Sequence, residues 1–438
     1  MAFGLLKYYT GNNTGDTPGN LPSPYFCKSP FPNTQSAARL TPRKGWEAGA
    51  MFGTLIDYWY LTGDETYNDV VMQAMMHQAT PEGTFMPENQ TRTEGNDDQG
   101  FWAMAAMSAA ENNFPNPPED QPQWLALAQA VFNMYATRWE PEDCGGGLRW
   151  QILPLNQGFE YKNSISNGCF FNLAARLARY TGNQTYADWA NKIYQWQTDV
   201  KFITSDFWVE DGASVDDQCQ KTVPILWSYN AGIFLHGAAV MYNVTNDDAW
   251  KQRVDGLLGS TEQIFFNNSI AFEQNCEPFQ LCNIDQRSFK GYLLRWLAGT
   301  SQMAPHTSEK VIPLLQASGT AAAKACDGSP AEGFAGIPGT ACGQDWTKGT
   351  FDGFVGVGEQ MSALSAIMYT QVKSVAIPVT ADNGGTSEGD PGAGLEDDLM
   401  QMFGPIQTKD RVAASFLTIA ICMGVLSGSW FVVKDEGW

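Results

Sequence analysis

Apolar residues recur with a helical period along most of the chain. Between Phe170 and Leu177 they are spaced i, i+3, i+4 and i+7, so they share one helix face. The same period continues from Trp189 to Trp196, after a turn that contains Tyr180-Thr181-Gly182-Asn183. Glycine suits the C-cap of the first helix, and the Thr or Asn that follows suits the N-cap of the second. The pattern therefore predicts a helical hairpin.

This hairpin is part of a diverged internal repeat. Tyr60-x-Thr62-Gly63-Asp64-x-Thr66-Tyr67 matches Tyr180-Thr181-Gly182-Asn183-x-Thr185-Tyr186, a looser copy spans Tyr242–Asn246, and Tyr9–Asn12 is a fragment of another. Each copy follows one apolar run and precedes the next. Several such hairpins in 438 residues predict either an α-solenoid or a closed α/α toroid.

Two long glycine-rich loops, at residues 144–155 and 328–349, do not suit a plain solenoid. They suit a toroid with elaborated loops on one face, where functional residues usually lie. Because strand patterns are sparse, we predict an all-α fold, a closed α/α toroid of helical hairpins, over residues 1–375.

Composition narrows the functional classes. Hydrophobic residues make up 43% of the chain and charged residues 17%, which excludes a disordered protein. The net charge of −21 repels phosphate backbones, so nucleic acid is not an expected partner. The 15 Trp, 15 Tyr and 25 Phe residues can stack on sugars but also fill cores.

The cysteines and sequons indicate a secreted protein. The cysteines at 276 and 282, and at 326 and 342, lie close in sequence within loops, which is typical of disulfides, although the sequence leaves the connectivity open. Cys169 lies in an apolar helical run and is expected to be a buried free thiol. No Cys/His spacing suits zinc, so we predict no metal and no cofactor. Five N-x-Ser/Thr sequons fit secretion: Asn12, Asn89, Asn183, Asn243 and Asn267.

The two ends of the chain were searched for signals that direct a protein to secretion or to a membrane, and each is considered in turn. The apolar stretch after Met1 is too short for a signal peptide, so secretion requires one ahead of this sequence. Residues 376–411 are predicted to be an acidic, glycine-rich linker, and residues 412–438 a hydrophobic tail. The tail suits either a transmembrane helix or a removed GPI signal with attachment near Asn383–Gly385 or Gly389–Asp390.

The segment Gly95-Asn96-Asp97-Asp98-Gln99 precedes a helix whose apolar face begins at Phe101. Two interpretations stay open. Asn and Asp are favoured as helix N-caps, where the dipole stabilises their charge. Alternatively, Asp97 and Asp98 form a catalytic pair, since retaining glycosidases hold two carboxyl groups about 5 Å apart. Proximity would then favour a proton on one, while the helix N-terminus keeps the other ionised.

These motifs, in this order, resemble the fungal cell-wall mannosidases of glycoside hydrolase family 76, and the likeness runs from about residue 8 to 370. Phe26–Gly45, with Cys27, departs from the family pattern and is predicted to be an atypical insertion whose deletion leaves the fold intact. The motifs that carry the resemblance are Trp46-Glu47-Ala48-Gly49-Ala50-Met51-Phe52, Asp57-Tyr58-Trp59, Thr62-Gly63-Asp64, Gly95-Asn96-Asp97-Asp98-Gln99, Gly147-Leu148-Arg149-Trp150-Gln151, Lys162-Asn163-Ser164-Ile165-Ser166-Asn167-Gly168, Tyr229-Asn230-Ala231-Gly232 and Phe289-Lys290-Gly291.

The resemblance implies an (α/α)6 barrel, a GPI anchor in the plasma membrane or a place in the cell wall, and a retaining endo-α-1,6-mannosidase or transglycosidase. It implies Asp97 as nucleophile and Asp98 as general acid/base. The expected donor is mannan or the mannose core of a GPI glycan, with β-glucan as an acceptor, and the expected state is a monomer. Two alternatives remain: a plain hydrolase, and a non-catalytic mannan-binding wall protein.

Further residues are candidates for binding sugar. Each has a structural alternative, which is core packing for the tryptophans and helix capping or backbone hydrogen bonding for the asparagines. The substrate-binding candidates are Asn96, Trp59, Trp150, Asn163, Asn167 and Tyr229.

Overall fold

A computed structural model describes residues 1–21, 45–81, 83–87, 93–395 and 408–434. The predicted insertion at Phe26–Gly45 lies, apart from its last residue, outside the described residues, as does the sequon at Asn89. The chain forms two compact units, Met1–Gly394 and Leu395–Trp438.

Helices dominate the described residues of the first unit. Twelve α-helices fall in it and one in the second: α1 (Ala2–Leu6), α2 (Trp46–Thr62), α3 (Asn68–Ala79), α4 (Asn96–Glu111), α5 (Trp124–Thr137), α6 (Ser164–Thr181), α7 (Gln184–Asp199), α8 (Ser228–Thr245), α9 (Asp248–Phe265), α10 (Phe289–Met303), α11 (Ser308–Lys324), α12 (Val357–Met368) and α13 (Thr408–Lys434).

Six of these helices form a closed inner ring. Helices α2, α4, α6, α8, α10 and α12 each contact the next, and α12 contacts α2. The outer helices α3, α5, α7, α9 and α11 pack outside the ring, and α1 packs against α12. This arrangement is the predicted (α/α)6 barrel. The inner helices are buried on nearly all sides, as expected for helices enclosed by neighbours.

The hairpin turns have the predicted caps. Gly63 and Gly182 end α2 and α6 in the left-handed conformation, with φ of 70° and 67°. The Asn183 side chain accepts a hydrogen bond from the Thr185 N–H at the start of α7. These caps reverse the chain between an inner and an outer helix, so the N-terminal ends of all inner helices point towards one end of the barrel, here called the mouth.

Short strands and disulfides fix the loops at the mouth. Strands β1 (Tyr161–Asn163), β2 (Glu210–Ser214) and β3 (Thr222–Leu226) form an antiparallel sheet, and β4 (Phe266–Asn267) pairs with β5 (Ile270–Ala271). The Cys276–Cys282 and Cys326–Cys342 disulfides are present, together with Cys144–Cys219, and Cys169 is a buried free thiol, as predicted.

Residues 376–394 differ from the predicted linker. They form a segment of turns and irregular structure that packs on the barrel, here called the strap, and belong to the first unit. The Val379 N–H donates to the Glu111 carbonyl at 2.8 Å, and the Leu125 N–H donates to Ser387 Oγ at 2.9 Å. Glycine content suggested flexibility, but here it permits close packing: a Cβ at Gly389 would lie 2.7 Å from Gln129 Oε1. The domain boundary therefore falls after Gly394 rather than at 375.

The second unit contains α13. By length and composition, and among the described residues, it holds the one stretch suited to crossing a membrane, Arg411–Trp430, with a mean hydropathy of 1.9.

Candidate active site

A cavity of about 240 Å³ opens at the mouth of the barrel, where the inner helices begin. Side chains at the N-terminal ends of α2, α4, α8 and α10 line it, together with residues of the sheet and of the connecting loops. The lining residues are Trp46, Asp97, Asp98, Phe101, Trp150, Tyr161, Asn163, Asp211, Trp227, Tyr229, Asn283, Asp285, Gln286 and Phe289.

Helix α4 presents Asp97 to this cavity. Every residue of α4 except Asp97 is buried. Its Oδ2 accepts a hydrogen bond from the Trp150 indole N–H at 3.0 Å, and its Oδ1 accepts one from the Asp98 N–H at 3.1 Å. Donors to a carboxylate, together with the positive end of the helix dipole, favour its ionised form.

Asp98 lies deeper and has a structural role as well. Asp98 is 2% exposed, and its Oδ2 accepts the Gly95 N–H at 2.6 Å, which satisfies a free backbone donor at the start of α4. Asp98 therefore helps to cap its helix and also lines the cavity. Its catalytic role stays a prediction.

A third carboxyl group, Glu94, lies beside the pair and was not predicted. It is buried, and its Oε2 has no hydrogen-bond partner in the described part of the chain. Burial, and then the negative charge of Asp98, raise the pKa of Glu94 well above its usual range. Repulsion among three close carboxyl groups favours retention of at least one proton at this corner of the cavity.

Ion pairs of Arg149 and the buried Lys162 hold the loop of residues 140–150, which positions Trp150. Arg149 pairs with Glu140 at 2.8 Å and with Asp143 at 2.5 Å. The fully buried Lys162 ammonium donates to the carbonyls of Asp143 and Gly146 at 2.7 and 2.8 Å. These contacts hold the loop in one conformation. The Trp150 indole is therefore already positioned against Asp97, and the loop loses little conformational freedom when substrate binds.

Two predicted binding residues act as internal supports and do not line the cavity. Asn96 is 2% exposed; its amide donates to the Arg149 carbonyl at 2.9 Å and accepts from Arg138 at 2.8 Å. The fully buried Asn167 exchanges hydrogen bonds with the backbone of Leu148 at 2.8 and 3.0 Å. Both position the Trp150 loop and are not placed to touch sugar.

Trp59 is also placed away from the cavity. It lies 13 residues after Trp46 in α2, so it is about 20 Å further along the helix. Its ring packs edge-on against Phe114 with centroids 5.3 Å apart. Of its two interpretations, packing is the one that the structure supports.

Asn163 and Tyr229 line the cavity as expected. Asn163 also caps α6, because its side chain accepts the Ser166 N–H at 3.2 Å. The Tyr229 ring stacks on Phe289 with centroids 3.8 Å apart and an angle of 6°. This stacked pair gives the cavity a flat aromatic wall of the kind that packs against a pyranose ring.

Comparison with known proteins supports this architecture. The family model for glycosyl hydrolase family 76 matches residues 1–382. The chain belongs to glycosyl hydrolase family 76. It is 44% identical over 436 residues to the mannan endo-1,6-α-mannosidase DCW1 of Saccharomyces cerevisiae, covering 99% of this chain and 91% of that one. It is 46% identical over 397 residues to the putative mannan endo-1,6-α-mannosidase C970.02 of Schizosaccharomyces pombe, covering 90% and 84%.

A crystal structure of Dfg5 from Chaetomium thermophilum in complex with glucosamine has the same fold. It superposes with a TM-score of 0.82 at 46% identity, over 90% of this chain and 93% of that one. The (α/α)6 barrel expected from the sequence is therefore confirmed for this family 76 chain.

Several cavity residues of the family 76 chain were not predicted. Tyr161 and Asp211 are 50 residues apart in sequence, yet the Tyr161 hydroxyl donates to Asp211 Oδ2 at 2.6 Å. Trp46 belongs to a motif that carries the family resemblance, and its place at the start of an inner helix is a signal in the sequence that could have identified it as a cavity residue. No sequence pattern pointed to Asp211, because only the pairing of β1 with β2 brings it to the cavity.

Proposed function

We propose that this protein cleaves α-1,6-linked mannose chains with retention of configuration, with Asp97 as nucleophile and Asp98 as general acid/base. The observation that carries the proposal is that two adjacent carboxyl groups at the start of α4 line one cavity in different environments. Close relatives named mannan endo-1,6-α-mannosidases support the substrate class.

The two environments suit two roles. A nucleophile must be ionised before attack, and Asp97 receives the Trp150 indole and a backbone N–H at the positive end of a helix. A general acid must hold a proton, and Asp98 is buried in the corner where Glu94 adds a third carboxyl group. After the glycosyl ester forms at Asp97, the Asp98 carboxylate accepts a proton from the incoming hydroxyl.

The donor that fits best is mannan or the mannose core of a GPI glycan. Aromatic side chains line the cavity, which suits sugar rings, and Dfg5 from Chaetomium thermophilum, a relative with 46% identity, has been crystallised with glucosamine. Water as acceptor gives hydrolysis, and a β-glucan hydroxyl gives transfer to the fungal cell wall. The enzyme acts as a monomer at the cell surface.

Defined substrates test the proposal. The purified chain is incubated with an α-1,6-mannooligosaccharide or a GPI-glycan fragment, with and without a β-glucan acceptor, and the products are separated by mass. We expect internal cleavage with α-configured products, and glucan-linked mannose if transfer occurs. Sugar binding without turnover, unchanged when Asp97 and Asp98 are both replaced by Ala, would instead identify a non-catalytic mannan-binding protein.

A further inference from the structure

Exposed apolar side chains of the first unit are concentrated at the mouth of the barrel. The connections from an outer helix to the next inner helix lie at this end, because the inner helices begin there. Most of the exposed large hydrophobic residues described in this unit fall in those connections: Leu155, Trp208, Ile225, Phe279, Leu281 and Ile337. At the opposite end, Val244 and Ile377 are exposed. The two ends of the barrel therefore differ in their apolar surface.

One of these connections contains the loop closed by the Cys276–Cys282 disulfide, here called the rim loop. Its exposed residues, Pro278–Leu281, are all uncharged, and Phe279 and Leu281 are 67% and 74% exposed. Its charged residue, Glu277, is buried and pairs with Lys290 at 2.9 Å. The rim loop therefore presents an uncharged tip with two large apolar side chains, whose withdrawal from water would be favourable.

The rim loop borders the cavity that holds the two adjacent aspartates. Asn283, directly after the loop, lines that cavity. Asn275, directly before the loop, donates through its amide to the Leu226 carbonyl at the end of β3. Leu226 lies between the exposed Ile225 and Trp227, which also lines the cavity. The apolar residues of the rim loop and of β3 therefore lie beside the same opening.

A lipid surface suits these residues better than a protein does. They come from separate connections, and a fluid bilayer can take up each side chain, whereas a protein interface requires one continuous complementary face. Trp208, which is 40% exposed, is of a residue type that is enriched at the membrane–water interface. The C-terminal tail of this chain suits a membrane span or a GPI signal, and either anchor joins the chain to a bilayer.

We propose that the rim loop and the neighbouring apolar residues of the mouth insert into the interfacial layer of a phospholipid bilayer. The cavity then faces the membrane and receives donor glycans that are themselves joined to lipid. The choice of donor rests on the proposed function, since a GPI glycan is such a donor, whereas the lipid contact can be measured without any activity. A docked mouth brings the two aspartates close to a glycan that is held at the bilayer surface.

Photochemical labelling tests the lipid contact. The full chain is inserted into phosphatidylcholine vesicles that include a phosphatidylcholine with a diazirine near its headgroup, and lipid adducts are mapped by mass spectrometry after illumination. We expect adducts on the rim loop and on the peptide that contains Ile225, and only background on the peptide that contains Val244. The double variant Phe279→Ser, Leu281→Ser should lower the adducts on both mouth peptides at least about tenfold, because burial of one large apolar side chain contributes about that factor.

Val244→Ser is the matched control, because it removes an exposed apolar side chain from the opposite end of the barrel. This variant should be labelled like the wild type. Equal labelling of the two ends of the barrel, or unchanged labelling of the double variant, would overturn the inference. Protection of the rim loop from a soluble labelling reagent in cell membranes, but not in pure lipid vesicles, would assign this surface to a protein partner instead.

Two donors separate this inference from the proposed function. With the full chain in vesicles, the double variant should cleave a lipid-linked GPI glycan at least about tenfold more slowly than the wild type. It should keep the wild-type kcat/KM on a soluble α-1,6-mannooligosaccharide, because Phe279 and Leu281 do not line the cavity. An equal loss on both donors would show that the rim loop supports the cavity and would overturn the inference. If the wild type cleaves neither donor, the proposed function fails, and the adducts alone decide the lipid contact.

Discussion

At the residue scale, one pair of side chains serves the fold and the site together. Asp98 accepts the Gly95 N–H and so stabilises the start of α4, while Asp97 accepts the indole of Trp150. Replacing Asp98 should therefore affect stability and activity, and only a measurement that isolates the chemical step can separate the two effects.

Azide separates the roles of the two aspartates. With an activated α-mannoside, Asp98→Asn should still form the glycosyl-enzyme, because a good leaving group needs no acid. Azide, which needs no general base, should restore turnover in this variant. Asp97→Asn should form no covalent intermediate. Mass spectrometry of the quenched enzyme and the rate with azide check both expectations. Rescue of Asp97→Asn alone would exchange the roles, and near-native activity of both variants would leave the pair as a helix cap.

The buried carboxyl group of Glu273 makes the stability of the fold depend on pH. It is buried, accepts hydrogen bonds from Ser228 at the start of α8, and lies near Glu277 and Lys290. Burial raises the pKa of Glu273 to about 8. The ordinary glutamate value is about 4.3. The folded state therefore holds this proton more tightly, so the stabilisation is complete below about pH 4 and is lost as pH rises through about 8.

We expect Glu273→Gln to remove this pH dependence. The variant should become more stable than the wild type between pH 7 and 9, by on the order of a few kcal/mol, and the difference should shrink towards pH 5. Urea unfolding across this range measures the change. Glu262→Gln, at a partly exposed position paired with Lys310, is the matched control and should follow the wild type. A constant difference at all pH values would contradict the assignment to Glu273.

The sequence predicted the position of the catalytic candidates better than that of the residues that hold the surrounding loop. Asp97 and Asp98 could be predicted because they are two consecutive aspartates at the start of a helix, within a motif that carries the family resemblance. Asn96 and Asn167 stood in similar motifs but are internal, because their amides satisfy the backbone of a loop some 20 to 50 residues away in sequence. Residue type cannot distinguish an amide that binds sugar from one that binds a carbonyl.

At the element scale, local patterns predicted the hairpins and missed the strap. Gly182 ends α6 and Asn183 begins α7 through contacts within a few residues, so the sequence contains the whole signal. The strap depends on partners far away in sequence, such as Gln129, whose Oε1 accepts the Asp390 N–H at 2.7 Å. Its glycine and acid content resembles that of a flexible linker, so composition alone placed the end of the barrel domain at residue 375, whereas the first unit ends at Gly394.

The strap should contribute measurably to stability. A chain that ends after Gly394 should unfold like the full chain, whereas one that ends after Val375 should lose several kcal/mol, because each buried hydrogen bond contributes about 1 kcal/mol. Thermal unfolding of both chains measures the difference. Equal melting temperatures would show that the strap packs without stabilising the barrel.

Point variants test the same packing without truncation. Gly389→Ala should destabilise the chain, since the added Cβ would lie 2.7 Å from Gln129 Oε1 and 2.8 Å from the Leu125 side chain. Gly392→Ala is the matched control, because its Cβ would meet only Asp390 Oδ1, at 3.4 Å. Equal effects of the two changes would contradict close packing as the reason for glycine at 389.

At the scale of the whole molecule, the barrel divides its polar residues between two ends. The cavity at the mouth holds carboxyl groups, aromatic rings and amides. The opposite end holds a buried network in which Arg176 pairs with Glu111 at 2.6 Å and Arg295 pairs with Asp57 at 2.8 Å. The strap crosses that second end, where Arg179 donates to the Pro378 carbonyl at 2.6 Å. Among the described residues, the cavity with the two adjacent aspartates therefore lies at the mouth, and buried ion pairs and the strap lie at the other end.

The strap also bears on the predicted position of a GPI attachment site. Residues Arg411–Trp430 cover about 30 Å as a helix, which suits either a membrane span or a GPI signal. Attachment at Asn383–Gly385 or Gly389–Asp390 would remove strap residues that contact the barrel, among them Ala393, whose carbonyl accepts from Asn133 at 2.8 Å. Because these contacts belong to the folded first unit, we expect a lipid attachment site beyond Gly394.

Release from cell membranes tests the anchor and its position together. Phosphatidylinositol-specific phospholipase should release the protein, and the C-terminal peptide of the released form should extend past Gly394 in mass spectra. A mature end at 383–385 or 389–390 would mean that the strap is incomplete in the mature protein, and it would contradict an attachment site beyond Gly394. If the phospholipase leaves the protein bound and residues 434–438 remain detectable, α13 is a membrane-spanning helix, because a GPI signal is removed with its tail.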